Sequence, residues 1–253
     1  MEALGGLLEL SPSEAMFAAV AVFAAGVVRG FSGFALSALI MASLVLILSP
    51  VEILPLCLAL EGVAGVLMLK AGLAQADRGM VLGLVAGVVV GSPIGLAVST
   101  GVSPEAAKIV ALGVIVVLAL TLLGGVKMPF LATRTGLMSS GILAGVAQGL
   151  AGVGGMVVAV YALAREAPAA VVRASLVLYL IGALVIGGIW LGIYGVWTEI
   201  SLIRAAVFAP FAIVGVLIGA KLFTPRFAQY YRPICLLLLI ALAVLGLGRA
   251  AMA

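Results

Sequence analysis

The sequence contains no histidine. That absence removes the Ser-His dyad, the HExxH zinc site, the His-ligated haem and the histidine proton relay. Charge is nearly as scarce, at 9% of residues, and only two cysteines are present. Cys57 and Cys235 both fall inside apolar stretches, so they read as buried thiols and make neither a disulfide framework nor a metal pattern. Of nine acidic residues, the only one deep within a long apolar run is Glu61. Hydrolysis by paired acids needs a second carboxylate beside the first, so the chain reads as a non-enzyme. The 13 basic residues give a net charge of +4, but they stand singly between apolar runs. Such spacing marks membrane topology and not a nucleic-acid footprint. No cofactor or ATP motif is visible: the glycines from Gly149 to Gly155 lack the strand context and the Lys-Ser/Thr pair of a nucleotide loop.

What is abundant is apolar. Hydrophobic residues make up 66% of the 253, and 33 glycines lie within apolar runs. The mean hydropathy is +1.43. A soluble domain is about half apolar and about a quarter charged, so this is the composition of a polytopic all-α membrane protein. The amino terminus carries Glu2, Glu9 and Glu14 and no cation before Arg29, the reverse of a positive signal-peptide leader, and no cleavage is expected.

Charges and Pro/Gly punctuation divide the chain into apolar pieces at about 13–28, 35–48, 51–69, 79–98 and 105–124. After a polar junction at 127–135 come pieces at about 136–148, 154–164, 168–192, 200–222 and 231–249. The two sets align as a repeat, residues 1–126 against 136–253. Ala25-Gly-Val-Val-Arg-Gly-Phe-Ser-Gly33 matches Ala144-Gly-Val-Ala-Gln-Gly-Leu-Ala-Gly152. Ser49-Pro50 then falls on Ala167-Pro168, Cys57-Leu58 on Ser175-Leu176, Gly91 and Gly95 on Gly215 and Gly219, and Ser103-Pro104 on Thr224-Pro225.

Topology decides what the repeat means. The first two pieces of each half fall short of the roughly 17 to 25 residues of a span. If each such pair is one broken crossing, the halves are parallel. The cations then divide evenly: Lys70, Arg78, Lys127, Arg134, Arg204 and Arg249 against Lys108, Arg165, Arg173, Lys221, Arg226 and Arg232. If each pair is a hairpin, the halves are inverted. Lys70, Arg78, Lys127, Arg134, Arg165, Arg173, Lys221, Arg226 and Arg232 then share one side and leave only Lys108, Arg204 and Arg249 on the other. That bias obeys the positive-inside rule. The expected fold is therefore two homologous inverted halves. Each has a Gly-broken hairpin (about 13–48 and 136–164) plus three full crossings, with both termini outside the cytoplasm. Ten complete spans would give the same parity.

Backbone that leaves a helix inside a bilayer must be buried in protein or line a wet cavity. Two breaks are written here, Gly30-Phe-Ser-Gly33 and Gly149-Leu-Ala-Gly-Val-Gly-Gly155. The helix that starts after each directs free N–H groups and a positive dipole end into the gap, which suits an anion. Arg29 stands at the edge of the first break with a donor fork matched to an oxyanion. Direct ligand contact, structural pairing with Glu61 or backbone carbonyls, and interfacial exposure are all open for it. Gln148 takes its place in the repeat, and Ser32 adds a hydroxyl. Glu61, close to the middle of its crossing, is a candidate for proton coupling, with Tyr179 as its counterpart. Arg173 serves either the pathway or the membrane boundary. The Gly91-xxx-Gly95 and Gly215-xxx-Gly219 spacings read as close helix packing, and they allow a homodimer. Trp190, Tyr194 and Trp197 read as an interfacial belt.

At Gly26-Val-Val-Arg-Gly-Phe-Ser-Gly-Phe34 and at Gly145 to Gly155 the chain resembles the sulfite exporter TauE/SafE family, and it does so over nearly its whole length in repeat plan and segment order. The resemblance implies a secondary transporter of sulfur-containing anions, sulfite or organosulfonates, in the cell (inner) membrane and commonly acting in export. The anion would be bound by Arg29, Gly30, Ser32, Gly33, Gln148, Gly149, Gly152, Gly154 and Gly155, with one repeat rocking against the other. A passive anion channel and a non-transporting assembly subunit are the alternatives.

Overall fold

The computed structural model describes residues 8–125, 128–165, 168–222 and 236–248. Glu2, Lys127, Ala167, Thr224, Pro225, Arg226, Arg232, Cys235 and Arg249, which enter the sequence reading, lie outside the described residues. The chain runs through α1 Pro12–Ser32, α2 Leu36–Leu44, α3 Pro50–Gln75, α4 Arg78–Gly101 and α5 Pro104–Leu123. A 3-10 turn at Pro129–Ala132 leads into α6 Arg134–Ala151, α7 Gly154–Ala164, α8 Ala169–Ile193, α9 Glu199–Leu222 and α10 Leu236–Gly248. No strand occurs among the described residues.

Local chemistry sets the starts of these helices. Ser11 and Ser49 each accept from the third helical N–H, while Glu14 and Glu52 reach back to the serine N–H and a proline fills the first helical position. Asp77, Ser103 and Thr133 cap α4, α5 and α6 with a side-chain oxygen. Each such cap contributes about 1 kcal/mol.

Among the described residues six helices are long and apolar enough to cross a bilayer: α1, residues 50–69 of α3, α4, α5, residues 171–193 of α8, and α9. This makes the chain an integral membrane protein. Five coincide with expected crossings, but the sequence reading ended the first piece at 28, whereas α1 continues to Ser32 for 21 residues. The charge of Arg29 marked a boundary that the helix ignores, because the side chain is buried and paired inside the protein. At the far end, residues 236–248 form a shorter apolar helix. The nine residues of α2 are all buried, so this short helix is enclosed by protein on every face.

The two most extensive helix contacts are α4 with α6 and α1 with α9. Each therefore joins the opening helix of one half to the third long helix of the other. Glycine makes both seams. A Cβ added to Gly26 would lie 2.7 Å from the Ala212 carbonyl and 3.2 Å from Gly215 Cα. A Cβ on Gly145 would lie 2.9 Å from Gly91 Cα and from Ser92 N. These are corresponding contacts under the alignment of the halves, in which Gly26 falls on Gly145 and Gly215 on Gly91. Gly30 and Gly149, read from the sequence as parts of the breaks, lie within α1 and α6 and belong to these seams. A Cβ on Gly30 would overlap Val216 O and one on Gly149 would overlap Ser92 O. The actual breaks are narrower, at Gly33 to Ala35 and at Gly152-Val153.

Two polar clusters mark the ends of the bundle. At one, Arg165 Nη1 lies 3.4 Å from Asp77 Oδ2, and the Asp77 N–H donates to Ser175 Oγ at 3.0 Å. At the other, the buried Arg204 donates to Leu8 O at 3.0 Å and lies 3.4 Å from Glu52 Oε1.

Candidate functional site

α1 ends in a left-handed Gly33 (φ +82°) whose N–H bonds Arg29 O at 2.9 Å. A Cβ there would also sit 2.8 Å from Cγ of Arg173, so glycine is required for conformation and for space alike. Ala35 then takes φ +75°, a conformation that costs a non-glycine residue on the order of 1 kcal/mol, and α2 begins. In the second half Gly152 (φ +71°) ends α6. Its N–H bonds Gln148 O, and the Val153 N–H bonds Ala147 O, closing the helix end.

Arg29 is fully buried in the last turn of α1. Its Nε lies 2.9 Å from Glu61 Oε2, and Nη1 donates to the Gly33 carbonyl. Nη2 is buried and has no hydrogen-bond partner among the described residues. Among the sequence alternatives, this geometry is that of pairing with Glu61 and with a backbone carbonyl. Glu61, near the midpoint of the 26-residue α3, also accepts from Ser37 Oγ at 3.1 Å and from the Ser37 N–H at 3.4 Å. Ser37 is the second residue of α2, so a carboxylate from α3 caps the positive end of the helix after the break. The sequence reading passed over Ser37. A hydroxyl four residues beyond Gly33, where the helix after the break begins, was the available signal.

The other predicted residues divide. Gln148 Oε1 accepts from the Gly154 N–H at 3.2 Å, so it caps α7 as Glu61 caps α2. Tyr179 Oη is buried and has no partner among the described residues. Both Tyr179 Oη and Gln148 Oε1 would lie within 3 Å of a Cβ on Gly154, at 2.8 and 2.9 Å. Ser32 Oγ lies 2.7 Å from both the Val28 and Phe34 carbonyls and serves its own turn. Arg173, half-buried, donates from Nη2 to Gly30 O at 2.7 Å and ties α8 to the end of α1. The N–H groups of Gly33, Gly152 and Gly154, expected to point at a ligand, are engaged within the chain in this structure.

The two breaks meet. A Cβ on Gly152 would be 3.5 Å from that of Ser37, and one on Gly155 would be 3.8 Å from that of Phe34. Between them lies a cavity of about 10 Å³ lined by residues including Ser37, Glu61, Gly152 and Gly155. A second, of about 20 Å³, is lined by Ser92, Gln148, Gly149 and Trp190 among others. Each is about the size of one water. Ser92 Oγ is buried and has no partner among the described residues.

Buried helix breaks, a central guanidinium-carboxylate pair and six apolar spans define a helical membrane protein of the transporter class. The family model "Sulfite exporter TauE/SafE" matches residues 18–245. The chain belongs to the TauE/SafE family. Compared with the curated proteins and with the solved structures, it finds no match.

Proposed function

We propose that this chain is a secondary transporter of small sulfur-containing anions, sulfite or an organosulfonate, working in the export direction through a central site between two inverted halves. The observation that carries the reading is Arg29, a fully buried cation where two broken helices converge. A guanidinium in that position costs several kcal/mol unless it has a partner or a task, and its fork matches an oxyanion.

The ion pairs at the two ends support inversion. Were the halves parallel, Asp77 and Arg165 would lie on opposite faces, and so would Glu52 and Arg204; both pairs lie within 3.4 Å. Both termini would then lie outside the cytoplasm, in an inner membrane. The water-sized cavities favour an occluded carrier over an open channel. The glycine seams favour α1 with α9 and α4 with α6 as the moving bodies, since rocking one whole half against the other would shear both seams.

The test is thermal stabilisation of the purified protein by sulfite, taurine, sulfoacetate, sulfate and simple carboxylates, with counterflow of the stabilising anion in proteoliposomes. A selective stabilisation by a sulfur oxyanion, with flux that Arg29→Ala removes, is the expected result. Anion binding and flux that survive Arg29→Ala would overturn the site. Flux that never couples to an ion or counter-anion would point to a channel.

A further inference from the structure

Resting on that reading, we infer that Glu61 is the protein's own occupant of the anion site, and that substrate enters only as Glu61 takes up a proton, so that one proton moves with each anion. The geometry is that of a bound carboxylate ligand. Glu61 meets Arg29 Nε through Oε2 at 2.9 Å, and through Oε1 it accepts the hydroxyl and backbone donors of Ser37 at the start of α2. These donors, a guanidinium and a helix N-terminus, are the ones an oxyanion would use. The cavity beside them, about 10 Å³, has room for a water and not for a sulfonate. Admission of substrate therefore requires the carboxylate to withdraw.

Charge decides how it withdraws. The groups facing Glu61 are Arg29 from α1, Ser37 from α2 and Cys57 on its own helix, a buried thiol whose Sγ lies 3.7 Å from Ser37 O. Arg173 of α8 reaches the same region through Gly30 O, but it is only half-buried. Of these two cations Arg29 is the fully buried one, and it balances one negative charge. Substrate beside an ionised Glu61 would leave an uncompensated anion in the low-dielectric centre, at a cost of several kcal/mol. A proton taken from solution onto Glu61 removes that excess. The site is then neutral both when empty (Arg29⁺ with Glu61⁻) and when loaded (Arg29⁺ with the substrate anion and a protonated Glu61).

The experiment uses the full chain in nanodiscs, with methanesulfonate, taurine and sulfite as probes. Calorimetry in buffers of different ionisation enthalpy counts protons taken up per anion bound in the wild type, so it needs no variant. The expected count is one. Methanesulfonate does not titrate in the working range, so its affinity should fall about tenfold per unit rise in pH wherever the empty protein holds Glu61 ionised. Glu61→Gln should bind the same probe without proton uptake and with no pH dependence. A count of zero with pH-independent binding in the wild type would overturn the inference and leave the transporter reading standing. Proton uptake that persists in Glu61→Gln would overturn the assignment to Glu61. If no probe binds wild type or variant at any pH, the transporter reading falls and this inference falls with it.

Discussion

Adding one methyl group at Gly26 and, separately, at Gly145 tests whether the exchanged helix pairs hold the protein together. In Gly26→Ala the new Cβ lies 2.7 Å from the Ala212 carbonyl oxygen, and in Gly145→Ala it lies 2.9 Å from Gly91 Cα, Ser92 N and Val88 Cα. The first atoms met are backbone, so no rotamer change relieves the overlap. The helices must part by roughly 0.5–1 Å, which forfeits about a quarter to a half of the dispersion energy of each contact along the seam. Overpacking costs about 1–3 kcal/mol where side chains can adjust, so a backbone seam belongs at about 3 kcal/mol. For a chain of this size that is a fall in Tm on the order of 6–12 °C.

Because the two positions correspond in the repeat, their losses should agree to within about 1 kcal/mol. Gly113, in the middle of α5, is the control: a Cβ there meets nothing within 4 Å. Gly113→Ala should hold or gain about 0.5–1 kcal/mol from helix propensity. Reversible unfolding in mixed micelles, or Tm in detergent, measures all three. Wild-type stability for Gly26→Ala and Gly145→Ala, or a loss in Gly113→Ala as large as theirs, would refute the reasoning.

Three further outcomes follow from the same contacts. Arg29→Met and Glu61→Met should each lose about 3–5 kcal/mol by leaving a buried partner uncompensated, while Arg29→Met/Glu61→Met recovers most of it; additive losses in the same unfolding assay would count against the ion pair. Ser49→Ala should cost about 1 kcal/mol by removing the capping box of α3, and a null effect on Tm would show that the start of α3 is held by packing instead. In a Cys235→Ser background, Cys57 should resist a water-soluble maleimide until the protein is unfolded, since its side chain is fully buried; fast labelling of the folded protein would place the centre in contact with water.

Much of this arrangement is written in the residues. Hydropathy marked the membrane class, and the spacing of Gly91 with Gly95 and Gly215 with Gly219 announced close packing. Which helix each glycine faces could not be read, because contact between α4 and α6 or between α1 and α9 depends on the tertiary exchange of partners. Arg29 and Glu61 were both visible as isolated charges in apolar runs, and their union was one of the readings. Their distance of 32 residues gave no means of choosing it. Gly30 and Gly149 misled for a physical reason: glycine serves helix breaks and tight seams alike, and sequence alone does not say which. The true breaks fall at Gly33 and Gly152, where φ is positive. Arg173 was open as a pathway or a boundary residue, and its bond to the Gly30 carbonyl could not be read because a backbone acceptor leaves no mark in composition.

The repeat supplies the geometry twice and the charge once. Arg29 falls on Gln148 and Glu61 on Tyr179, so the first break is built around an ion pair and the second around a neutral amide and a phenol. The reason lies in the membrane. A second buried pair would carry the same desolvation penalty again, and it would place another fixed carboxylate and guanidinium beside the first. With one pair, the proposed site would have one fully buried cation among the described residues, Arg29, to be shared between the internal carboxylate and an incoming anion. The neutral half contributes the cap on α7 and the Tyr179 hydroxyl, which, like Ser92 Oγ on α4 of the first half, has no partner among the described residues. Such groups could hydrogen-bond the uncharged part of a substrate without competing for Arg29. On the proposed transporter reading, symmetry of the backbone would let the site reach both sides of the membrane, and asymmetry of its charge would let it hold one anion at a time.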